Sequence, residues 1–488
     1  MSTGTRRALE LRNGESAPAA DVPVLSFADF RAGVIAGIAA GGRLAALFAV
    51  RASEGPARLC AVLADGDAGT LALSAAEIGA SYAALTPDCP SAHLFEREIA
   101  ERHGVVPEGH PWLKPVREPV ADFFRVEGDE VHEVAVGPIH AGVIEPGHFR
   151  FQCHGETVLH LEIALGYQHR GALRALEAGP TRRSIHYAET LAGDTTVGHA
   201  TAYCEAVEAL TACRVPARAQ ALRGIALELE RLANHVGDLG ALAGDVGYLP
   251  TAAYCGRLRG EFLNLTAAAC GSRFGRGWVR PGGVAFDVDD TLVPEMLARL
   301  ERALTDVAGA VQLLWESPSV QARFEDTGIL PGDVCRDLGL VGPAARASGL
   351  ARDARAEFPS GIWRFVQIPV STGESGDVLA RALVRWLEIQ RSGTFLREQI
   401  GALPPGPSRI DPGALAPDRL AVTLVEGWRG EICHVVATDE RGRFSTYEVV
   451  DPSFHNWSGL AYAMRSQQIS DFPLCNKSFN LSYCGHDL

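Results

Sequence analysis

ETLAGDTTVGHATAYCEAVE, residues 189–208, is the stretch whose reading decides the fold. Its second half, GHATAYCEAVE, reads as the opening of a long helix of the kind that lies beneath a redox site. The four residues that lead into it, AGDT (Ala192–Thr195), stand where a pair of cysteines would be wanted. The stretch therefore reads as the scaffold of a metal site without its ligands.

Downstream, the pattern is helical. In ARAQALRGIALELERLANHVGDLGAL (217–242), Leu222, Ile225, Leu229 and Leu232 recur on one face. TLVPEMLARLERALTDVAGAVQLL (291–314) and DVLARALVRWLEIQRSGTFLREQI (377–400) repeat the pattern, and Asp377 is placed to cap the latter. RLAVTLVEGWRGEICHVVATDERGRFSTYEVVDPS (419–453) returns to hairpin periodicity.

Upstream, GHFRFQCHGETVLHLEIALG (147–166) alternates over two runs around Gly155-Glu156, a hairpin pattern. Residues 1–22 are polar and small and are expected to be disordered. RLAALFAVRA (43–52) and ARLCAVLADGDAGTLALSAA (57–76) read as strands, the second turning at Asp65–Gly69. SAHLFEREIAERHGV (91–105) reads as a helix with Ser91 as N-cap and Gly104 as its stop. The expected fold class is α+β. A small α+β domain occupies 23–116, a Pro-rich linker or packing arm 117–132, and a mainly helical domain with β-hairpins 133–488.

Composition excludes several functions. The net charge of −14 argues against nucleic acid, which demands a basic patch. Nearly all positive charge is arginine, with Lys114 and Lys477 the two lysines. Eleven cysteines lie without a CxxC spacing and read as reduced thiols. No apolar run approaches the ~20 residues of a membrane span. FRAGVIAGIAAGGRLAALFAV (30–50) comes nearest and is broken by Arg31 and Arg43, so membrane association is expected only through partners.

His140, His148, His154, His160 and His169 invite a metal reading, but a site needs three or four convergent ligands. The polar face of a hairpin accounts for them, and no metal is assigned. In ELERLANH (228–235), Glu228 and Arg231 are an intrahelical i,i+3 pair, read as a solvated helix face. Arg346, Arg352, Asp353 and Arg355 crowd a Gly/Pro/Ala-rich stretch. It is either a buried loop whose arginines fix acidic groups or a surface loop. Cys475 and Cys484 are nine positions apart and read as unrelated thiols.

Several stretches together resemble a known family. SAHLFEREIAERHGVVPEGHPWLKP (91–115) is similar to the C subunit of complex I, the NADH:quinone oxidoreductase. VGPIHAGVIEPGHFRF, LGYQHRGALRALE, VGHATAYCEAVEAL, ELERLANHVGDLGALAGDVGYL, DLGLVGPAARASGLARD and SGDVLARALVRWLE resemble the D subunit of the same complex. They equally resemble the large subunit of energy-converting [NiFe] hydrogenases of the formate hydrogenlyase and hydrogenase-4 type. The matches fall in order from about Tyr82 onward.

The resemblance implies an N-terminal domain like the complex I C subunit, fused to a domain like the hydrogenase large subunit. It also implies a partner iron–sulfur small subunit, akin to the B subunit of complex I, that carries the cluster. Antiporter-like membrane subunits and a peripheral place on the cytoplasmic face of the membrane follow from the same resemblance. The hydrogenases carry CxxC at two places; here those four ligand positions fall on Ala192, Thr195, Ser482 and Gly485, with Cys484 one residue off register. The quinone-reducing branch has a tyrosine where Gly193 stands. Proton-relay or coupling roles are implied for Glu145, His148, Asp245, Arg346 and Asp353. His199 and Gly193 would line the vacated pocket.

The expected function is that of a peripheral subunit of a complex I-like or hydrogenase-4-like oxidoreductase. It would bind no cofactor itself, with quinone a possible ligand, and would serve electron transfer to quinone or redox-to-ion coupling. A non-catalytic scaffold is the alternative. A hydrogenase with an unusual ligand set from Cys475, Cys484, His199 or His486 is the second alternative.

Overall fold

A computed structural model describes residues 7–51, 55–140 and 144–488. The fold is α+β, as expected, and its organising element lies near the C-terminus. Three antiparallel strands, Arg419–Gly427, Gly430–Thr438 and Phe444–Val450, form a sheet that is buried on both faces. Strand side chains alternate between faces. Ala421, Val425, Ile432 and Val436 join the core of the helical part, whereas Leu420, Val422, Leu424, Cys433 and Val435 join the core of the N-terminal part. Burial on both faces makes the strands near-continuous apolar runs.

Against the second face packs an N-terminal sheet. Leu9–Leu11, Thr70–Ile78, Ala57–Asp65 and Arg43–Arg51 pair antiparallel in that order, and Val24–Leu25 adds in parallel to Thr70–Ile78. The turn between Ala57–Asp65 and Thr70–Ile78 is held by the Asp65 carboxylate, which accepts from the Ala68 N–H at 3.0 Å.

Three expectations for this part need correction. The start of the chain is ordered from Arg7 on; the first six residues of the expected disordered segment lie outside the described residues. Leu9 and Leu11 are buried, Ser16–Pro18 adds an edge strand to the C-terminal sheet, and Asn13 is 2% exposed. The Asn13 amide donates to the carbonyls of Phe358 and Leu424 and accepts from the Leu424 N–H, all within 2.8 Å. Three-residue strands are too short to show periodicity in a polar stretch. Second, Phe27–Ala39 is a helix capped by Ser26, not merely an interrupted apolar run. Third, the helix His93–His103 is preceded by Ala92 in the cap position without a side-chain cap, Ser91 being spent in a preceding turn; Gly104 ends it as expected.

The arm 117–132 has no regular element until the strand Val131–Val136 begins. It divides the chain but not the core, because the N-terminal sheet is completed by residues from 354 to 454. The hairpin His148–His154/Thr157–Ala164 forms with its two-residue turn at Gly155-Glu156, and Val131–Val136 pairs beside it. The helical part is built on Thr196–Thr211, Ala217–Asp245, Leu249–Cys270, Leu292–Trp315 and Val378–Gly401. Asp377 caps the last through the Ala380 N–H at 2.8 Å.

Asn13→Ala leaves a buried N–H and two carbonyls of the C-terminal sheet and its neighbour without partners. Denaturant unfolding of the purified protein should show a loss of about 3 kcal/mol. A change within experimental error would mean that the first strands are dispensable.

Candidate functional site

The loop Ala192–Thr195 and the C-terminal loop 480–485 meet at the start of the helix Thr196–Thr211, and one guanidinium ties them together. Arg429 stands on the tight turn between Arg419–Gly427 and Gly430–Thr438. Its two terminal nitrogens donate to the two Asp194 oxygens at 2.6 and 2.8 Å, and one also reaches Thr195 Oγ1 at 3.2 Å. Its Nε donates to the Asn480 carbonyl at 2.5 Å, and the group lies 4.0 Å over the Trp428 ring. Trp428 Nε1 and Asn234 Nδ2 each donate to the Asp194 carbonyl at 3.0 Å. Burial would raise the Asp194 carboxyl, but Arg429 outweighs it and holds the pKa below the ordinary value.

The turn carrying Arg429 is itself pinned by close backbone approach. Gly342, at φ +68°, would place a Cβ 2.1 Å from the Arg429 carbonyl oxygen, so a side chain there is excluded on two counts.

At the second loop the space beside Gly485 is filled by a hydrogen-bonded aspartate and histidine. A Cβ on Gly485 would meet the Asp451 carboxyl atoms at 2.6–2.8 Å. Asp451 accepts from His199 Nε2 at 3.0 Å; His199 Nδ1 lies 3.2 Å from His434 Nε2, and His434 Nδ1 lies 2.9 Å from the Tyr447 hydroxyl. All four are fully buried or nearly so. Burial and the neighbouring His199 hold His434 well below its ordinary pKa, so it is neutral. Cys484 is 3.3 Å from Ser482 Oγ, and burial raises its thiol.

From this frame a seam of buried charge runs between two long helices. Asn480 Nδ2 donates to Asp238 at 2.6 Å, and Arg385 Nε donates to the other Asp238 oxygen at 2.9 Å. One turn along both helices, His235 Nε2 meets Glu388 at 2.7 Å, and Glu388 accepts from Arg346 Nε at 3.0 Å. Arg346 continues to Glu426 at 2.7 Å, and Asp353, Arg355 and Glu228 follow. Arg231 ties Glu228 to the carbonyls of Glu426 and Gly427, just before the turn that carries Arg429.

Burial pushes the Glu388 carboxyl up, and Arg346, His235 and Arg231 together hold it well below its ordinary value. Burial keeps His235 neutral, so its Nε2–H donates to Glu388 and its buried Nδ1, which has no partner, is a free proton acceptor. Glu230 accepts from the N–H groups of Val197 and Gly198 at 2.7 and 3.1 Å, and burial pushes its carboxyl up to about 8.

Of the residues singled out from sequence, Arg346 and Asp353 meet in the seam, 3.7 Å apart, in a buried loop and not on the surface. Glu228 and Arg231, read as a solvated face, are fully buried there as well. His199 and Gly193 flank the frame, and Glu145 faces it, accepting from the Cys484 N–H at 3.5 Å. His148 instead packs its ring 5.0 Å from Phe123. Asp245 is exposed at the end of its helix, where burial of part of the group raises its pKa. In the same stretch read as a solvated helix face, His235 is fully buried and Glu230 half-buried. Sequence reasoning missed Arg429, Asp451, Glu388 and Glu426; acidic residues at Glu426 and Glu431 within an apolar strand run were the available signal.

The two loops that meet at this helix start are the ones that the resemblance to hydrogenase and complex I large subunits aligns with the paired-cysteine positions. Residues 245–420 match the family described as respiratory-chain NADH dehydrogenase, 49 Kd subunit. The carbon monoxide-induced hydrogenase of Rhodospirillum rubrum is 32% identical over 72% of this chain and 97% of its own. NADH-quinone oxidoreductase subunit 4 of Thermus thermophilus is 32% identical over 70% of this chain and 90% of its own. Formate hydrogenlyase subunit 5 of Escherichia coli is 29% identical over 82% and 76%. A chain of the archaeal membrane-bound sulfane sulfur reductase has the same fold, with TM-score 0.69 and 22% identity over 74% of this chain and 99% of that one. The chain belongs to this family of complex I 49 Kd and membrane-complex hydrogenase subunits.

Arg346→Met removes the one guanidinium that Glu388 and Glu426 share, leaving Glu388 to His235 and Arg231 and Glu426 to the Ala354 N–H, and should cost about 3 kcal/mol, read by denaturant unfolding. Acid dependence is a second readout. Asp194, Asp451 and Glu388 have depressed pKa values, so their stabilisation is present above the ordinary carboxylate value of about 4 and is lost as pH falls through the lower native values. Asp194→Asn should reduce the slope of stability against pH in that window by about one proton.

Proposed function

We propose that the chain is a peripheral subunit of a membrane-bound complex I-like or hydrogenase-4-like oxidoreductase, that it holds no nickel–iron centre, and that it serves redox-to-ion coupling. The observation that carries this is the content of the frame. Ala192, Thr195, Ser482 and Gly485 supply no thiolate, and the Asp451 carboxylate fills the space a side chain at 485 would need. Among the described residues no group of three His, Cys, Asp or Glu side chains is arranged to hold a metal ion. The residues present do not fit a nickel–iron group.

The coupling part of the proposal rests on the seam. It begins at the frame, alternates acids and bases across two helices, and includes Glu230, which holds a proton near neutrality, and the unprotonated, unpartnered Nδ1 of His235. A change of charge beside the frame shifts the protonation of Glu230 and is felt along the seam by electrostatics alone. Quinone is the acceptor class to which the family's quinone-reducing branch points, although Gly193 offers no phenol to its headgroup.

No helix among the described residues is long and apolar enough to cross a membrane, so attachment is through partners. An iron–sulfur small subunit fits the groove of about 520 Å³ that runs from Asp194 and Asn480 between the helices Ala217–Asp245 and Leu249–Cys270. Antiporter-like subunits on the cytoplasmic side of the membrane complete the proposed assembly.

Metal analysis of the purified complex tests the first claim. Iron without stoichiometric nickel is expected; nickel near one per chain would restore the hydrogenase reading. Glu230→Gln in the intact complex tests coupling against a purely architectural role. Loss of a positioned proton carrier should slow turnover by about a hundredfold with assembly unchanged, whereas a scaffold would be indifferent to it.

A further inference from the structure

A second site lies at the other end of the helix Thr196–Thr211, away from the frame. A cavity of about 660 Å³ opens between the C-terminal half of that helix, the start of Ala217–Asp245, the turn Gly361–Arg364 and the N-terminal residues Gly14 and Glu15. Two buried polar atoms on its floor have no partner, Thr201 Oγ1 and Glu205 Oε2. They are four positions apart and therefore on one helix face, and Thr201 is 6% exposed. The other Glu205 oxygen accepts from Ser360 Oγ at 3.0 Å. Buried polar atoms without partners are rare in folded proteins, and two converging on one cavity point to a donor that comes from outside the chain.

The charges around the cavity specify that donor. Arg223, the cation nearest the floor, is already committed: it donates to both Glu208 oxygens and to the carbonyls of Arg280 and Gly283. Glu205 is thus left with a neutral hydroxyl as its side-chain hydrogen-bond partner, and Arg223 and Arg364 act on it through space alone. Burial, reinforced by Glu208 and opposed by Arg223, pushes its carboxyl up to about 7. An incoming cation would return it to the charged form. The mouth has the opposite character. Arg214 and Arg364 are exposed, and Arg364 is held by long 3.4 Å bonds to the carbonyls of Pro359 and Asn13. The acid at the mouth, Glu15, is engaged with its own backbone at Arg12. Between floor and mouth, Leu227, Ile362 and Trp363 supply an apolar wall.

We infer that this cavity binds a small zwitterion of the amino-acid class, its ammonium donating to Glu205 and Thr201 and its acid group paired with Arg364 and Arg214 at the mouth. The apolar wall accommodates a short carbon chain between the two charges. The cavity shares no residue with the frame or the seam, so binding here stands or falls separately from the proposed function.

Calorimetric titration of the full-length protein in its complex tests it, with γ-aminobutyrate, δ-aminovalerate and ε-aminocaproate as probes and butylamine and butyrate as single-charge controls. Saturable binding of at least one amino acid is expected, with each control about tenfold weaker or more. Glu205→Gln, which keeps the shape of the side chain and its bond to Ser360, should weaken binding by about tenfold or more. Arg364→Ala, at an exposed position, should weaken the amino acid and leave butylamine unchanged. Affinity should fall as pH drops below about 7, where Glu205 takes up a proton. No saturable heat from any amino acid probe would mean that water alone fills the cavity and would overturn the inference. Equal binding by wild type and Glu205→Gln, or butylamine binding as tightly as the amino acids, would overturn it as well.

Discussion

A buried charge must find its opposite, and the centre of this protein is organised by that requirement. The helices Ala217–Asp245 and Val378–Gly401 bring Glu228, Arg231, His235 and Asp238 against Arg385, Glu388 and Ser392. Most contacts across such helix pairs are apolar, and here the polar residues are interior because each is matched. Matching fixes the relative register of the helices, since a slip of one residue would strand several charges at once. It also fixes the neighbours: Arg231 and Arg346 reach from the seam to the strand Arg419–Gly427, whose end carries the turn with Arg429. The frame is held in place by the same network that runs away from it.

Within that frame, an arginine–aspartate ion pair and a histidine–aspartate hydrogen bond stand where the hydrogenase branch is expected to place metal ligands. A metal bound by two loops crosslinks them. Arg429 crosslinks the same two loops as a hydrogen-bond donor, with Asp194 on one side and the Asn480 carbonyl on the other. Planar guanidinium geometry suits this task, because several donors leave one rigid group in fixed directions. Asp451 and His199 pair with each other in the space that remains. The chain's own side chains thereby balance the charge of the frame.

How much of this was legible in the sequence follows from what periodicity measures. Long apolar stripes located the helices, the Gly155-Glu156 hairpin was visible as two alternating runs, and Asp377 announced its own cap. Glu228 and Arg231 do not read as interior residues, because a polar stripe looks the same whether it faces water or a matching stripe. Only the partner helix decides between the two, and it lies far along the chain, His235 and Glu388 being 153 positions apart. The strands at Leu9–Leu11 and Ser16–Pro18 are invisible for a related reason. Their burial comes from distant sheets, not from local pattern. Arg429 and Asp451 belong to no spacing motif, and their meaning lies in the empty positions at Ala192 and Gly485.

The doubly buried C-terminal sheet has a consequence for how the chain reaches its folded state. The N-terminal sheet emerges from the ribosome first, yet the strands that cover its inner face, Arg419–Gly427 and Gly430–Thr438, emerge almost last. Until then Val62, Leu71 and Leu73, which share that face, have no lid. A nascent chain of this kind carries an unfinished apolar surface through most of its synthesis, the circumstance in which large proteins aggregate or engage chaperones. Fusion of the two parts in one chain keeps that waiting surface and its cover at a fixed effective concentration, which two separately made subunits would lack.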